Sequence, residues 1–132
     1  MLEEVNDFPK RPNLLSPTTL AYVGDSIFEL FIRTYLLEES ICKPNKLHKQ
    51  AVEYVNAEAQ AEILRRIRNG LSKTEEAIVR RGRNASSSSS GNVDHTTYQH
   101  STAFEALLGY LYLAKEKERL KEILAEIKEY YS

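Results

Sequence analysis

The chain has 132 residues, a length that corresponds to one domain with a single hydrophobic core. Apolar residues make up 42% and charged residues 28% of the sequence, which excludes a disordered or fibrous protein. The lone cysteine, Cys42, leaves no intrachain disulfide partner. The acidic start lacks the profile of a secretion signal, and no apolar run is long enough for a membrane helix, so a cytoplasmic protein with no membrane segment is predicted.

The charges are unevenly distributed along the chain, although the net charge is only −1. Residues 43–83 contain ten Lys and Arg residues against five acids, whereas the rest of the chain contains eight against fourteen. A locally positive surface attracts a polyanion whatever the net charge is. The middle of the chain could therefore bind a polyanion, or its cations could simply solvate exposed helix faces.

The apolar pattern of the first half is helical. Ser16 followed by Pro17 predicts the start of a helix that reaches about Glu38. Its apolar residues point in nearly every direction, which predicts a central helix surrounded by others. Two more helices are predicted over about 45–55 and 57–68, the second ended by a left-handed cap at Asn69-Gly70.

The second half continues the helical pattern after one long interruption. Ser72 to Glu75 is a capping box that opens a helix reaching about Arg81. Residues 84–100, which include five consecutive serines, predict a long flexible loop. A helix from Thr102 to about Lys115 and a final amphipathic helix follow. The fold predicted is an all-α bundle of about six helices in one domain, 1–132.

Asp25 is the most anomalous residue of the sequence. On the helical wheel it lies among Ala21, Phe28 and Ile32, which predicts a carboxylate inside an apolar helix face. Such a group is costly unless it is paired, hydrogen-bonded or bound to a metal. A salt bridge would explain it as well as a metal site does.

Glu105 is the second candidate. Taken alone, Thr102-x-x-Glu105 is a capping box, which gives this glutamate a local explanation. Both acids, however, lie on apolar helices near a glycine, Gly24 or Gly109, that permits close helix packing. If the two helices cross there, both carboxylates enter one pocket, where a hard cation such as Mg²⁺ would relieve their repulsion.

A dense basic segment lies where a helix meets the long loop. Its candidate RNA-binding residues are Lys73, Arg80, Arg81, Arg83 and Asn84. They could contact phosphates. They could equally be a solvated helix end whose cations complement the helix dipole.

The segments Leu20-Ala21-Tyr22-Val23-Gly24-Asp25 and Thr102-Ala103-Phe104-Glu105-Ala106-Leu107-Leu108-Gly109 resemble the two signature helices of the ribonuclease III catalytic domain. The resemblance spans about residues 15–130. We expect no double-stranded-RNA-binding domain of the kind that ordinarily follows, because the sequence is similar to the short bacterial branch of the family, Mini-ribonuclease III.

This resemblance implies a Mg²⁺-dependent endoribonuclease that cuts double-stranded RNA as a homodimer, leaves 5′-phosphates, and trims both ends of the 23S ribosomal RNA precursor. Asp25 and Glu105 match the family's catalytic and metal-binding carboxylates. Ala21 and Thr102 stand where two further family carboxylates would be. Two protein carboxylates are therefore expected to bind one Mg²⁺ more readily than two.

Two other functions remain open at this stage. Because two family carboxylates are missing, the chain could be a catalytically inactive ribonuclease III-like module for RNA binding or ribosome assembly. It could also be an all-α metal-dependent hydrolase of small nucleotides, although the acid pairs Glu58/Glu62 and Glu126/Glu129 fall on polar faces rather than in a cluster.

Overall fold

The computed structural model describes residues 2–5, 7–39, 49, 53–85 and 94–132. The helices of the described residues are α1 (Leu2–Val5), α2 (Pro17–Glu38), α3 (Ala57–Ile67), α4 (Lys73–Ala85), α5 (His95–Leu113) and α6 (Lys117–Tyr131). Short 3₁₀ turns cover Pro12–Leu14 and Arg68–Gly70. The all-α prediction is confirmed for this part of the chain, with five helices of eleven residues or more.

Helix α5 is the centre of the bundle. It packs against α2, α3, α4 and α6, and its Phe104, Leu107 and Leu108 are fully buried. The prediction that α2 is the surrounded helix is wrong within the described residues, because Tyr22, Leu30 and Leu37 on α2 are exposed. Helix α2 buries one broad face on α5 and leaves the opposite flank open.

The starts of α2 and α4 follow the sequence signals. The Ser16 side chain accepts a hydrogen bond from the backbone N–H of Thr19 at 3.2 Å. At α4 the predicted capping box is confirmed: the N–H of Glu75 donates to Ser72 Oγ and the N–H of Ser72 donates to Glu75 Oε1. Helix α4 continues past the predicted end at Arg81 to Ala85.

The predicted loop 84–100 is too long. Residues 86–93 lie outside the described residues, but α5 begins at His95, where Asp94 caps it by accepting from the N–H of Thr97. Thr102 is therefore a buried residue inside α5, and the capping-box interpretation of Thr102 and Glu105 is wrong. The start of α5 was missed because residues 95–100 are mainly polar and show no apolar periodicity.

Two other local predictions meet a different outcome. The left-handed cap predicted at Asn69-Gly70 is wrong, because α3 tightens into a 3₁₀ turn there. Among the described non-glycine residues, the one with positive φ is Lys115, which follows α5. The helix predicted over 45–55 falls mostly on residues that the structure does not describe; of those it does describe, 49, 53 and 54 are helical. Cys42 lies outside the described residues. The final amphipathic helix is confirmed, with Ile123 and Ile127 buried.

Candidate active site

The two motif helices cross in direct backbone contact. A Cβ atom added at Gly24 of α2 would overlap the carbonyl oxygen of Glu105, and one added at Gly109 of α5 would overlap the carbonyl oxygen of Leu20. Only hydrogen fits at either position, so the two glycines let the helix axes approach far more closely than side chains normally allow. The crossing point is therefore set by two glycines near the candidate acids: Gly24 directly precedes Asp25, and Gly109 lies one helical turn after Glu105.

This crossing places Asp25 near enough to Glu105 that, after burial, Asp25 is the neighbour that raises the pKa of the Glu105 carboxyl group. The predicted convergence of two residues from distant parts of the chain is thus what the structure has. The predicted burial of Asp25 is wrong, since its side chain is exposed and Glu105 is the half-buried member. The helical wheel treated α2 as surrounded, whereas Asp25 lies at the edge of the packed face.

Glu105 is in an unfavourable electrostatic setting. Burial, followed by the neighbouring Asp25, raises the pKa of its carboxyl group to about 8. One donor opposes this shift: the Gln60 side chain of α3 donates from Nε2 to Glu105 Oε2 at 3.3 Å. Over the described ranges, no cationic side chain is among the causes of the shift. Two acids thus face each other across the helix crossing with a neutral amide as the neighbouring donor.

The positions of the two missing family carboxylates are closed by packing. Ala21 is 7% exposed and belongs to a small apolar cluster with Leu20, Ile78 and Ala106. Thr102 is also 7% exposed. Within the described ranges, no group of three or more His, Cys, Asp or Glu side chains is placed to hold a metal ion. The site therefore consists of two carboxylates and leaves no solvated space for a third at Ala21.

The donor set nevertheless suits a hard divalent cation. Carboxylate oxygens are the ligands that Mg²⁺ prefers, and Mg²⁺ is commonly held by one or two carboxylates with water and phosphate oxygens completing its shell. Burial and the neighbouring Asp25 together raise the pKa of Glu105, and a cation beside the two acids would offset both effects by favouring the charged carboxylates. These two residues would hold one Mg²⁺.

Comparisons with known proteins agree with this geometry. Residues 18–116 match the ribonuclease III domain. The chain belongs to the ribonuclease III family. It is therefore an endoribonuclease, as the resemblance of its two motif helices implied. The matched residues include the whole of the crossing between α2 and α5, with both candidate acids.

Individual relatives extend over most of the chain. A Mini-ribonuclease 3 of Brevibacillus brevis is 45% identical over 91% of this chain and 90% of its own length. A Mini-ribonuclease 3 of Thermoanaerobacter sp. is 51% identical over 83% of this chain and 78% of its own length. An X-ray structure of a Fusobacterium nucleatum protein shares the fold with a TM-score of 0.76 and 32% identity, covering 91% of this chain and 95% of that one.

The candidate RNA-binding residues of this ribonuclease III domain all lie on α4. Lys73, Arg80 and Asn84 are exposed and follow one line along the helix, opposite its buried face. Arg83 is half-buried on one side of that line. Arg81, on the other side, donates from Nη1 to the carbonyl of Asn13 at 2.8 Å and from Nη2 to the carbonyl of Leu15 at 3.0 Å.

Sequence reasoning missed Gln60 as a member of the site. A signal for it exists: Gln60 shares the apolar stripe of α3 with Ile63, Leu64 and Ile67, where a polar residue is out of place. Buried polar groups require a partner, so a lone amide in such a stripe indicates a polar neighbour. Nothing in the sequence identifies that neighbour as Glu105.

Across the described residues, every helix is either too short or too polar to span a lipid bilayer.

Proposed function

We propose that this ribonuclease III domain hydrolyses phosphodiester bonds of double-stranded RNA in a Mg²⁺-dependent reaction at Asp25 and Glu105. The observation that supports the proposal is the pairing of these two acids with no cationic partner among the residues that the structure describes. Natural proteins seldom keep two like charges together unless an ion or a shared proton compensates them. In a ribonuclease, a divalent cation and the phosphate it neutralises supply that compensation.

The two acids have different tasks in this mechanism. Glu105 is half-buried and tethered by Gln60, so it is the rigid member of the pair. Asp25 is exposed and lies on the solvent side of the crossing, where an RNA backbone can approach. Asp25 and Glu105 would hold the Mg²⁺, whose chemistry there would be to polarise the phosphate and to lower the pKa of the attacking water. Cleavage that breaks the bond to the 3′ oxygen leaves 5′-phosphate and 3′-hydroxyl ends.

Helix α4 is proposed to provide affinity for the RNA backbone. Its exposed Lys73, Arg80 and Asn84 form a polar line, and Gly82 on the opposite face packs against Ala103, two residues before Glu105. Arg83 adds a cation beside the line, and Arg81 adds charge while its guanidinium holds two carbonyls. Contacts of this kind recognise A-form shape more than sequence.

A salt titration tests the role of α4. Replacing Lys73, Arg80 and Arg83 by Ala should weaken duplex binding and reduce the slope of log affinity against log salt by about two to three units, because each lost phosphate contact removes about 0.9. Arg81 is left intact so that the fold is not disturbed. An unchanged slope would exclude α4 from the interface.

The natural substrate is proposed to be the 23S ribosomal RNA precursor, cut in the cytoplasm at both ends of its mature segment. A homodimer would place two such sites on a duplex. The exposed flank of α2 supports this assembly, because Tyr22 is 81% and Leu30 66% exposed. Sedimentation of the wild type and of Leu30→Glu tests the dimer, which the charged variant should dissociate.

A cleavage assay with Asp25→Asn tests the activity. With duplex RNA and Mg²⁺, the variant should lose at least about a thousandfold in rate, equivalent to about 4 kcal/mol, and should retain RNA binding. Glu29→Gln is the matched control, because Glu29 lies one turn further along α2 and, among the residues with described positions, forms an ion pair with Arg33 alone, at 2.6 Å. Equal cleavage by the Asp25 and Glu29 variants would overturn the assignment.

The same assay separates two other functions. A catalytically inactive RNA-binding module, favoured by the closed positions at Ala21 and Thr102, would bind duplex RNA without cutting it. A hydrolase of small nucleotides would release phosphate from nucleoside triphosphates and leave the duplex intact. Adding a chelator to the wild type should stop duplex cleavage, and restoring Mg²⁺ should recover it.

A further inference from the structure

Gln60 is the polar member of an otherwise apolar helix face. Its side chain is 4% exposed, and the neighbouring buried residues of α3 are Ile63, Leu64 and Ile67. A buried amide costs free energy unless its hydrogen bonds are made. Leucine or methionine would fill the same volume without that cost, so the presence of an amide here calls for a reason.

The partner of this amide is the carboxylate of Glu105, at 3.3 Å from Nε2 to Oε2. The start of α3 fixes the position of Gln60: Asn56 caps the helix by accepting from the N–H of Ala59 at 2.8 Å, and its carbonyl accepts from the N–H of Gln60 at 3.0 Å. Gln60 therefore reaches Glu105 from the first full turn of a rigid, capped helix.

The chemistry of the donor matters as much as its position. An arginine or lysine here would neutralise Glu105 and compete with any cation for it. A leucine would leave the carboxylate without a donor and free to rotate. An amide donates a hydrogen bond and brings no charge, so it can orient a carboxylate while the negative charge remains available.

We infer that Gln60 is a positioning residue, which holds the Glu105 carboxylate in the orientation that lets it share a divalent cation with Asp25. Nothing in this role requires Gln60 to touch the RNA or the cation. Groups that orient a ligating carboxylate typically change metal affinity or activity by ten- to a hundredfold when they are removed. The inference rests on the proposed function for the identity of the ion.

The test is a double-mutant cycle on cation binding without RNA. Mn²⁺ alone is titrated into the wild-type chain, Gln60→Met, Glu105→Gln and the double variant, and free Mn²⁺ is followed by electron paramagnetic resonance. Methionine keeps the length and helix preference of glutamine but has no N–H donor. We expect Gln60→Met to weaken Mn²⁺ binding about tenfold in the wild type and to have no further effect beside Glu105→Gln.

Two results would overturn the inference: an unchanged Mn²⁺ affinity in Gln60→Met, or an equal loss with and without Glu105. Gln60→Leu serves as a second variant if the methionine variant is poorly folded, and Ile63→Val on the same buried face is the control for packing loss. A merely structural Gln60 would lower the melting temperature and leave the Mn²⁺ affinity of the folded fraction unchanged.

Duplex cleavage separates this inference from the proposed function. With Mg²⁺ present, Gln60→Met should lower kcat at sub-saturating Mg²⁺, regain much of it as Mg²⁺ is raised, and leave KM for RNA within about twofold. A wild-type chain that binds Mn²⁺ but cuts no duplex refutes the nuclease alone. A wild type that cuts RNA, beside a Gln60→Met variant with unaltered Mn²⁺ affinity, refutes the positioning role alone.

Discussion

Two glutamates on neighbouring helices, Glu75 on α4 and Glu105 on α5, are both largely buried and have opposite environments. Burial alone would raise the pKa of Glu75, but hydrogen bonds from Arg119 and Ser72 outweigh it and hold that pKa below its usual range. Arg119 Nε lies 2.8 Å from Glu75 Oε2, and the pair fastens α6 to α4. Glu105 has no such cation within the described part of the chain, and burial together with the neighbouring Asp25 raises its pKa to about 8.

The difference separates a structural acid from a functional one. Glu75 has its positive partner within the fold, so its charge is compensated whenever the chain is folded. The described residues around Glu105 offer an acid and a neutral amide, so compensation of its charge is left to a bound ion. Burial is common to both, and the sign of the neighbouring charge is what distinguishes them.

The largest expected effect concerns activity. Glu105→Gln should reduce duplex cleavage by at least about a thousandfold, because it removes a proposed cation ligand. Glu75→Gln should leave cleavage per folded molecule within about twofold, because Glu75 holds only α6 and its own helix start. Rates are measured with Mg²⁺ at a temperature where both variants are folded. Similar losses of cleavage in the two variants would contradict the distinction between a structural Glu75 and a functional Glu105.

The next effect is on stability against pH in the metal-free protein. Because the pKa of Glu105 is raised on folding from 4.5 to about 8, its favourable contribution is complete below its unfolded pKa and is lost as the pH rises through the folded value. The free energy of unfolding should fall by up to about 4 kcal/mol between about pH 5 and pH 9. Urea unfolding across this range measures it.

Glu105→Gln is the control for that pH dependence and should flatten the alkaline side of the profile, as should added Mg²⁺. The acidic side should remain, because Glu75 has a lowered pKa and its contribution is present above its unfolded pKa and lost as the pH falls below it. An alkaline slope that survives in the Glu105 variant would show that another group causes it.

The third effect is on stability alone. Glu75→Gln keeps an oxygen that can accept from the N–H of Ser72 but leaves the guanidinium of Arg119 without its carboxylate. Breaking a buried ion pair from one side is costly, and because Arg119 is partly exposed we expect a loss of about 2–3 kcal/mol in unfolding free energy.

Glu122→Gln is the matched control for the Glu75 variant. Glu122 also pairs with Arg119, but at 3.7 Å and with its side chain 65% exposed. Such a surface pair contributes little, so the loss should be below about 0.5 kcal/mol. If both variants are equally stable, the pair between α4 and α6 is not what distinguishes Glu75 from Glu105.

Helix caps and amphipathic stripes, which depend on residues close together in the chain, were predicted well from the sequence. The capping box at Ser72 and the apolar stripe ending at Ile127 predicted elements that the structure has. The same reasoning failed at Thr102. A threonine three residues before a glutamate occurs both in a capping box and in the interior of a helix whose first turns are polar, as in α5. A serine or threonine three residues before a glutamate indicates a helix start only when no helix precedes it.

The candidate site was predictable in part, for a different physical reason. Asp25 and Glu105 were predicted as site residues from the family motifs and from the glycines near them. The backbone contact at Gly24 and Gly109 explains why these motifs determine how the two helices cross. The contact from Gln60 depends on how α3 is rotated against α5, a tertiary property that no local pattern encodes. The exposure of Asp25 depends equally on which flank of α2 is left uncovered.

The smallest expected effect compares two adjacent cations of α4. Arg81 holds the carbonyls of Asn13 and Leu15, whereas Arg80 is exposed and makes no ion pair within the described residues. Arg81→Ala should lower the free energy of unfolding by about 1–2 kcal/mol, because two charge-assisted hydrogen bonds are lost. Arg80→Ala should change it by less than about 0.5 kcal/mol. Urea unfolding of both variants, with their RNA affinities measured at two salt concentrations, provides the comparison.

Each of these variants removes one positive charge, so both have the same non-specific effect of charge on RNA affinity. They differ in the expected loss of stability. If Arg80 is a phosphate contact, its loss should reduce the salt slope by about 0.9 without altering unfolding. A salt slope changed by Arg81→Ala alone would transfer the RNA contact to the residue that also holds the segment before α2. In that case the guanidinium of Arg81 would serve both the fold and the RNA, and Arg80 would be a solvated surface cation.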